Sequence, residues 1–434
     1  VVVSDGLEVT ATDERGIYYL ASDLARRNFV FVSVPADCEI PATQGCPRFY
    51  RKIDRKQAVN RADFTLTRRK TPSDRHSLIV MADIQLAADN TSVDSYLGHV
   101  VPDVLKTVQG LPTEVYGVSL GDLVWNDMSL FPKYRQGLET LGFTTFSLPG
   151  NHDHDPAELT DSLALQSYER YFGPANYSVN IGKIHYLFLD NILFDHAPTA
   201  EEEYMIGLTD EICRWIEADL RYVPAGSTLV VSSHCPILYH TKNTAARNHR
   251  NFQRFLDAIS PYKVHAFGGH KHYHDIYRYD DGRKVMHCIA RTPGDLFING
   301  DVNCDGTPRG YAVVEVDGER LSWYYKPAGG KRDMQMRLYA PGRTNSACVY
   351  ANVWGYDTAW SAVEWIPPSG GQAEAMGRTQ RTDPYYEEVL ATGVRGGTPT
   401  NTWHMFRVDP GSERGGMVRV TDSFGHTYES SVSW

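Results

Sequence analysis

No apolar run in this 434-residue sequence approaches the ~18 residues that a membrane-spanning helix needs, so helices threaded through a bilayer are not expected. Cysteines are few and scattered. Cys38, Cys46, Cys213, Cys235, Cys288, Cys304 and Cys348 show no paired spacing of the zinc-ribbon kind. Only Cys38 and Cys46, across a loop holding Pro41 and Gly45, are placed for a disulfide, and spacing leaves its formation open. Excess positive charge is also missing: 53 acidic against 43 basic residues give a net charge of −10, which repels polyanions and disfavours non-specific nucleic-acid binding. Internal repeats and low-complexity tracts are absent, which excludes solenoid and disordered architectures. The chain opens on Val1, with neither an initiator Met nor a signal sequence, as a processed chain would.

What is present is an ordinary globular composition, 42% apolar and 22% charged, at a length that implies two or three domains of about 150 residues each. Residues 1–70 alternate short β-branched and aromatic runs, such as Phe29 to Val34, with turns at Asp5-Gly6 and Asp13-Glu14-Arg15-Gly16, the pattern of a small β-sandwich. The first hairpin resembles that of bacterial carboxypeptidase-regulatory-like modules. Arg48 to Lys70 is strongly basic, a pattern read as a solvated or domain-joining surface, with steering of an anionic substrate as the alternative.

From residue 71 to 326 the pattern is α/β. Strands are expected at Leu78 to Ala82, Val115 to Leu120, Thr145 to Leu148, Ile184 to Leu189, Leu229 to Val231 and Val264 to Phe267. Helices are expected near 93–108, 158–171, 209–221 and 249–259, the third opened by the capping signal Thr209-Asp210-Glu211. Pro327-Ala328-Gly329-Gly330 marks a linker, and residues 327–434 read as a second β-rich domain.

Five of the expected strands run into metal-ligand residue types: Asp83-Ile84-Gln85, Gly121-Asp122, Gly150-Asn151-His152-Asp153, Ser233-His234-Cys235 and Gly269-His270-Lys271-His272. Singly, each reads as a turn or cap residue. Together, at the carboxyl ends of strands where α/β sheets bind ligands, they point to one crevice. Carboxylate, imidazole and amide donors suit Mn, Fe or Zn, and Cys235 reads as packing.

The order Asp-x-Gln, Gly-Asp, Gly-Asn-His-Asp, Ser-His and Gly-His-x-His resembles the calcineurin-like metallophosphoesterases over residues 77 to 325. The resemblance implies two mixed β-sheets packed as a sandwich and flanked by helices, and hydrolysis of a phosphate ester at two transition-metal ions. Such a pair, about 3.5–4 Å apart, clamps phosphoryl oxygens and lowers the pKa of a water that attacks in line. Carried over, one ion falls to Asp83, Gln85, Asp122 and His272, the other to Asp122, Asn151, His234 and His270. His152 would serve the leaving-group oxygen as acid. The flanking β-modules are similar to those of bacterial envelope-associated members, which implies a periplasmic or secreted location and a small-molecule or envelope phosphate ester as substrate.

Two departures stand out. Gln85 occupies a place commonly held by His, and Trp125 stands where the protein serine/threonine phosphatases have an Asp that orients the catalytic His; Asn126 and Asp127 are the candidates to replace it. Further candidates for substrate contact are Asp153, His240, His274 and Arg291. The segment from Asp301 to Gly306 imitates a calcium loop, but Ala312 fills the twelfth position, so a plain turn is expected. The competing readings are a nuclease of the same superfamily and an inactive scaffold.

Overall fold

The computed structural model describes residues 1–194, 204–238, 249–279, 282–295, 301–344, 346–394 and 396–434. Its centre is a pair of mixed sheets. In a six-stranded sheet, Ile184–Leu189, Thr228–Ser233, Lys263–Gly268 and Lys284–Cys288 run parallel, with Tyr177–Ile181 and Asp275–Tyr279 antiparallel at the edges. In a five-stranded sheet, Arg75–Met81, Glu114–Ser119 and Thr145–Ser147 run parallel, extended by the antiparallel strands Gly310–Asp317 and Arg320–Pro327.

Side chains alternate across each strand, and in Arg75–Met81 both faces are buried. Leu78 and Val80 join Tyr186, Phe188 and Val230 of the six-stranded sheet between the layers. Ile79 and Met81 turn outward to Tyr96, Val104 and Tyr134 of the covering helices. The expected helices form, the first as Ser92–Ser95 running through a π turn at Tyr96–Val100 into Val101–Val108. The sequence pattern did not disclose the helix Phe131–Leu141. Pro132 lies in its first turn, where a missing N–H costs nothing. Gly137, a poor helix former, is there for contact: a Cβ would lie 2.4 Å from the Tyr96 ring.

Residues 1–70 supply a four-stranded antiparallel sheet and a two-stranded hairpin of Ala42–Thr43 with Cys46–Pro47, and the layer against the inner face of the larger sheet comes from the central region. Every residue of Phe29–Ser33 is buried, Phe31 meets Trp215 edge-on at 6.2 Å, and Val34 bridges Val179. The basic stretch includes joining contacts: Arg69 donates to Glu114 at 2.7 Å and to the Cys38 carbonyl at 2.9 Å. Cys38 and Cys46 are not bonded to each other. Both are buried thiols in different cores, Cys38 between the sheets and Cys46 under the helices that cover the five-stranded sheet.

Beyond Pro327, two four-stranded sheets enclose a core of Val349, Val363, Trp365, Phe406 and Val418. A helix, Pro384–Ala391, adds to this β-rich region, begun by an Asp383 cap and a first-turn proline. The region is tied to the centre by the Arg278–Asp357 ion pair at 2.9 Å and by the buried His404, which donates to the His274 carbonyl at 3.0 Å.

His265 and His287 stack in the six-stranded sheet with ring nitrogens 3.2 Å apart, against Trp323. Burial, with Arg278 nearby, pushes the His265 pKa down to about 3. The unfolded chain therefore takes up this proton first, so the stability His265 contributes is complete above about pH 6.5 and is lost as pH falls toward the folded value. Urea denaturation at about pH 7 and about pH 5 is expected to show wild type losing about 2 kcal/mol more than His265→Phe over that interval. Equal losses would mean the ring is protonated in the fold.

Candidate metal centre

The loops that end the parallel strands carry unusual backbone. Asp83, Gln85, Asp122, Asn126, His270 and His272 all have left-handed φ, between 46° and 66°; only Gln44 and Asn251 share this conformation among the other described non-glycine residues. Such residues cost on the order of 1–3 kcal/mol each and persist where their surroundings over-determine them. Here the surroundings are one another. The Asp83 carboxylate accepts the His270 backbone N–H at 2.9 and 3.0 Å, and the Gln85 N–H donates to the Asp122 carbonyl at 2.7 Å.

The loops bring several of these side chains together. Asp83, Asp122 and His234 bring ligand atoms within 4.8 Å of one another, all three buried. His272 Nε2 lies 3.4 Å from Asp83 Oδ1, and His234 Nε2 lies 3.3 Å from Asp122 Oδ1. Asn151 Oδ1 is 3.0 Å from His234 Nε2 and 3.1 Å from His270 Nδ1. The approach depends on glycine: a Cβ on Gly150 would sit 2.2 Å from Asp122 Oδ1, and one on Gly269 would sit 2.3 Å from Asp83 Oδ2.

This donor set fits cations. Two carboxylates are buried together, and among the described residues no Lys or Arg forms an ion pair with either. Burial opposes charge on Asp122, but His234 and His152 outweigh it and hold its carboxyl below the usual range. Burial likewise opposes charge on His234, yet Asp122 raises its pKa to about 9. The field that keeps a proton on His234 Nε2 is the field a bound cation would meet. The other nitrogen, Nδ1, donates to the Leu120 carbonyl at 2.8 Å, the outer bond that orients ligand histidines. The flanking Cys235 is fully buried beside a small apolar cluster, where burial pushes its thiol pKa well up, and its Sγ also lies within 4.8 Å of ligand nitrogens of His234 and His270.

Gln85 departs from its expected role. Its Oε1 accepts from Arg291 Nε at 2.7 Å and its Nε2 donates to Asp122 Oδ2 at 2.9 Å. Because a guanidinium only donates, Arg291 fixes this amide orientation. Gln85 thus presents N–H to the centre and braces Asp122, and its oxygen is committed elsewhere. Arg291 is correspondingly no substrate contact: it is 1% exposed, and its remaining donors reach the carbonyls of Ile84, Gln85 and Gly294.

His152 lies at the edge of the centre, its ring stacked on Trp125 at 3.7 Å and its Nδ1 held 2.9 Å from Asn126 Oδ1. Of the two candidates for orienting it, Asn126 takes the role, while Asp127 caps a short turn by accepting from Ser129. Burial lowers the His152 pKa against the opposing pull of Asp122. Asp153 faces inward. It is fully buried and accepts the N–H groups of Leu123, Val124 and Gly150, so it shapes the loops and does not meet substrate.

His274 is also turned away. It is buried against Tyr325, its N–H donates to Asp305 at 2.9 Å, and its carbonyl receives His404. Asp305 closes the Asp301–Gly306 segment as the expected turn, accepting from Thr307. His240 lies outside the described residues. The sequence reading passed over His154, Asp190 and the Leu120 carbonyl. Asp190 follows the strand Ile184–Leu189 in the same way that the recognised clusters follow theirs. A backbone acceptor leaves no trace in residue type.

Three consecutive family models match the chain: N terminal of Calcineurin-like phosphoesterase over residues 1–69, Calcineurin-like phosphoesterase over 77–274, and C terminal of Calcineurin-like phosphoesterase over 287–428. No curated protein matches. Among solved structures, a purple acid phosphatase from yellow lupin (Lupinus luteus) seeds is similar at 14% identity and a TM-score of 0.42, over 59% of this chain and 52% of that one. A 5'-nucleotidase from Candida albicans is similar at 11% identity and a TM-score of 0.35, over 58% and 50%. The match thus spans about half of each of these longer chains, and likeness this distant carries no argument about function. The family matches, the two-sheet architecture and the clustered ligand residues agree, and the chain belongs to the calcineurin-like phosphoesterases.

Proposed function

We propose that this chain hydrolyses a small phosphate ester, a monoester or a diester, at a pair of divalent transition-metal ions sharing Asp122. Asp83, Asp122 and His272 would hold one ion; Asp122, Asn151, His234 and His270 would hold the other. The observation that carries this reading is the convergence of Asp83, Asp122 and His234 from three strands of two sheets. Bound ions would neutralise the phosphoryl oxygens and acidify an attacking water.

The protein groups have separable tasks. Arg291 and Gln85 hold the Asp122 carboxylate, so that its position does not depend on the ligands it carries. Asn126 anchors His152 through Nδ1, which leaves Nε2 for the leaving-group oxygen. An Asp in place of Asn126 would stabilise the imidazolium and retain the proton; the neutral amide orients the ring without doing so, and a readily released proton serves a poor leaving group. The net charge of −10 favours compact esters over long polyanions.

Asp122→Asn is expected to lose turnover of p-nitrophenyl phosphate and bis-p-nitrophenyl phosphate, together with bound metal measured by mass spectrometry. Full activity in this variant would refute a shared carboxylate. His152→Ala is expected to keep its metals and lose about 10²–10⁴ in rate on alkyl phosphates, less on nitrophenyl esters, whose leaving groups need no proton. Loss of the metals instead would make His152 a ligand.

A further inference from the structure

A second group of ligand residues lies behind the Gly-Asn-His-Asp loop. His154, Asp161 and Asp190 come from three separate elements: the turn after Asn151–Asp153, the start of the helix Asp161–Ala164, and the end of the strand Ile184–Leu189. Their ligand atoms lie within 4.8 Å of one another. His154 is 0% exposed, Asp190 is 2% exposed, and the Asp161 side chain keeps a fifth of its surface.

The ring of His154 is held but not satisfied. Nδ1 donates to the Gly150 carbonyl at 2.8 Å and the face stacks on Phe194 at 5.1 Å. Nε2, fully buried, has no hydrogen-bond partner among the described residues. It lies 3.4 Å from Asp190 Oδ2 and 4.0 Å from Asp161 Oδ1, aimed between the two. Histidine–carboxylate pairs elsewhere in this protein either close to hydrogen-bond length, as His185 Nε2 with Asp219 Oδ2 at 2.8 Å, or stand off at 3.5 Å with the nitrogen satisfied by another acceptor, as His404 Nε2 near Asp305 with the His274 carbonyl; His154 Nε2 has neither. Donors ~2.1 Å from a tetrahedral zinc lie about 3.4 Å apart, so the His154–Asp190 spacing is that of two ligands on one ion, and Asp161 needs a small inward rotation to complete the set. Backbone N–H groups position both carboxylates: Asp190 Oδ1 accepts from Ile192 and Asp161 Oδ1 from Phe194. The bond from Nδ1–H to a backbone carbonyl is the outer contact that ligand histidines make.

We infer that His154, Asp161 and Asp190 form a separate site for one divalent cation of the zinc type. A cavity of ≈ 690 Å³ between the N-terminal sheet and the centre, lined by Asp161 and Asn176, adjoins the site on its Asp161 side. The ion would act on the reaction only through structure. By fixing His154 it fixes the Gly150 carbonyl, and with it the loop that carries Asn151 and His152.

The test is zinc-edge anomalous diffraction from crystals of the full chain soaked in Zn²⁺ alone. A peak among His154, Asp161 and Asp190 is expected, present in Asp122→Asn and lost in Asp161→Asn, a conservative change at the most exposed of the three. Mass spectrometry of the soluble protein should show Asp161→Asn one metal equivalent below wild type. Zinc at Asp122 with none at His154, or a peak that survives Asp161→Asn, overturns the site; absence of zinc at Asp122 alone bears only on the phosphoesterase reading.

Discussion

The burial of the Asp122 carboxylate is the constraint from which the centre follows. An ionised carboxylate out of water costs several kcal/mol unless neighbours compensate it. Here it is 1% exposed and receives His234, the Gln85 amide and the His152 backbone N–H. Gly150 has no side chain because none fits beside that carboxylate. Gln85 is braced by Arg291, a cation placed one residue further out, where it steadies the charge without occupying the centre. A negative site assembled this way attracts cations.

The same logic explains the strained loops. Rigid parallel strands deliver the chain to one edge, and the left-handed residues turn it sharply enough for side chains from different strands to meet. The outer regions support this frame. The N-terminal sheet covers the six-stranded layer through Phe31 and Trp215, and the C-terminal region docks through His404 against the carbonyl of His274, two residues beyond the candidate ligand His272.

Much of this was legible in sequence. Strand positions followed from apolar runs buried on both faces, and the candidate ligands from the repeated placement of Asp, Asn and His where those runs end. The helix Phe131–Leu141 was hidden because Pro132 and Gly137 are helix breakers in general, yet one lies in the first turn and the other is needed for contact with Tyr96. Asp153, His274 and Arg291 carry the chemistry of substrate contacts but are buried and committed to the scaffold. Residue type reports what a side chain can do, and only burial reports whether it faces a ligand.

By itself the sequence determined the class of chemistry, since carboxylate, imidazole and amide side chains repeated at five strand ends suit a cation site, and it determined the layering, since hydrophobic periodicity is local. Tertiary structure decided which way each polar group points. Gln85 turned its oxygen to Arg291, Asn126 and not Asp127 received His152, and Cys38 and Cys46 went to different cores. These outcomes depend on partners as many as 206 positions away in the chain, and no local pattern encodes them.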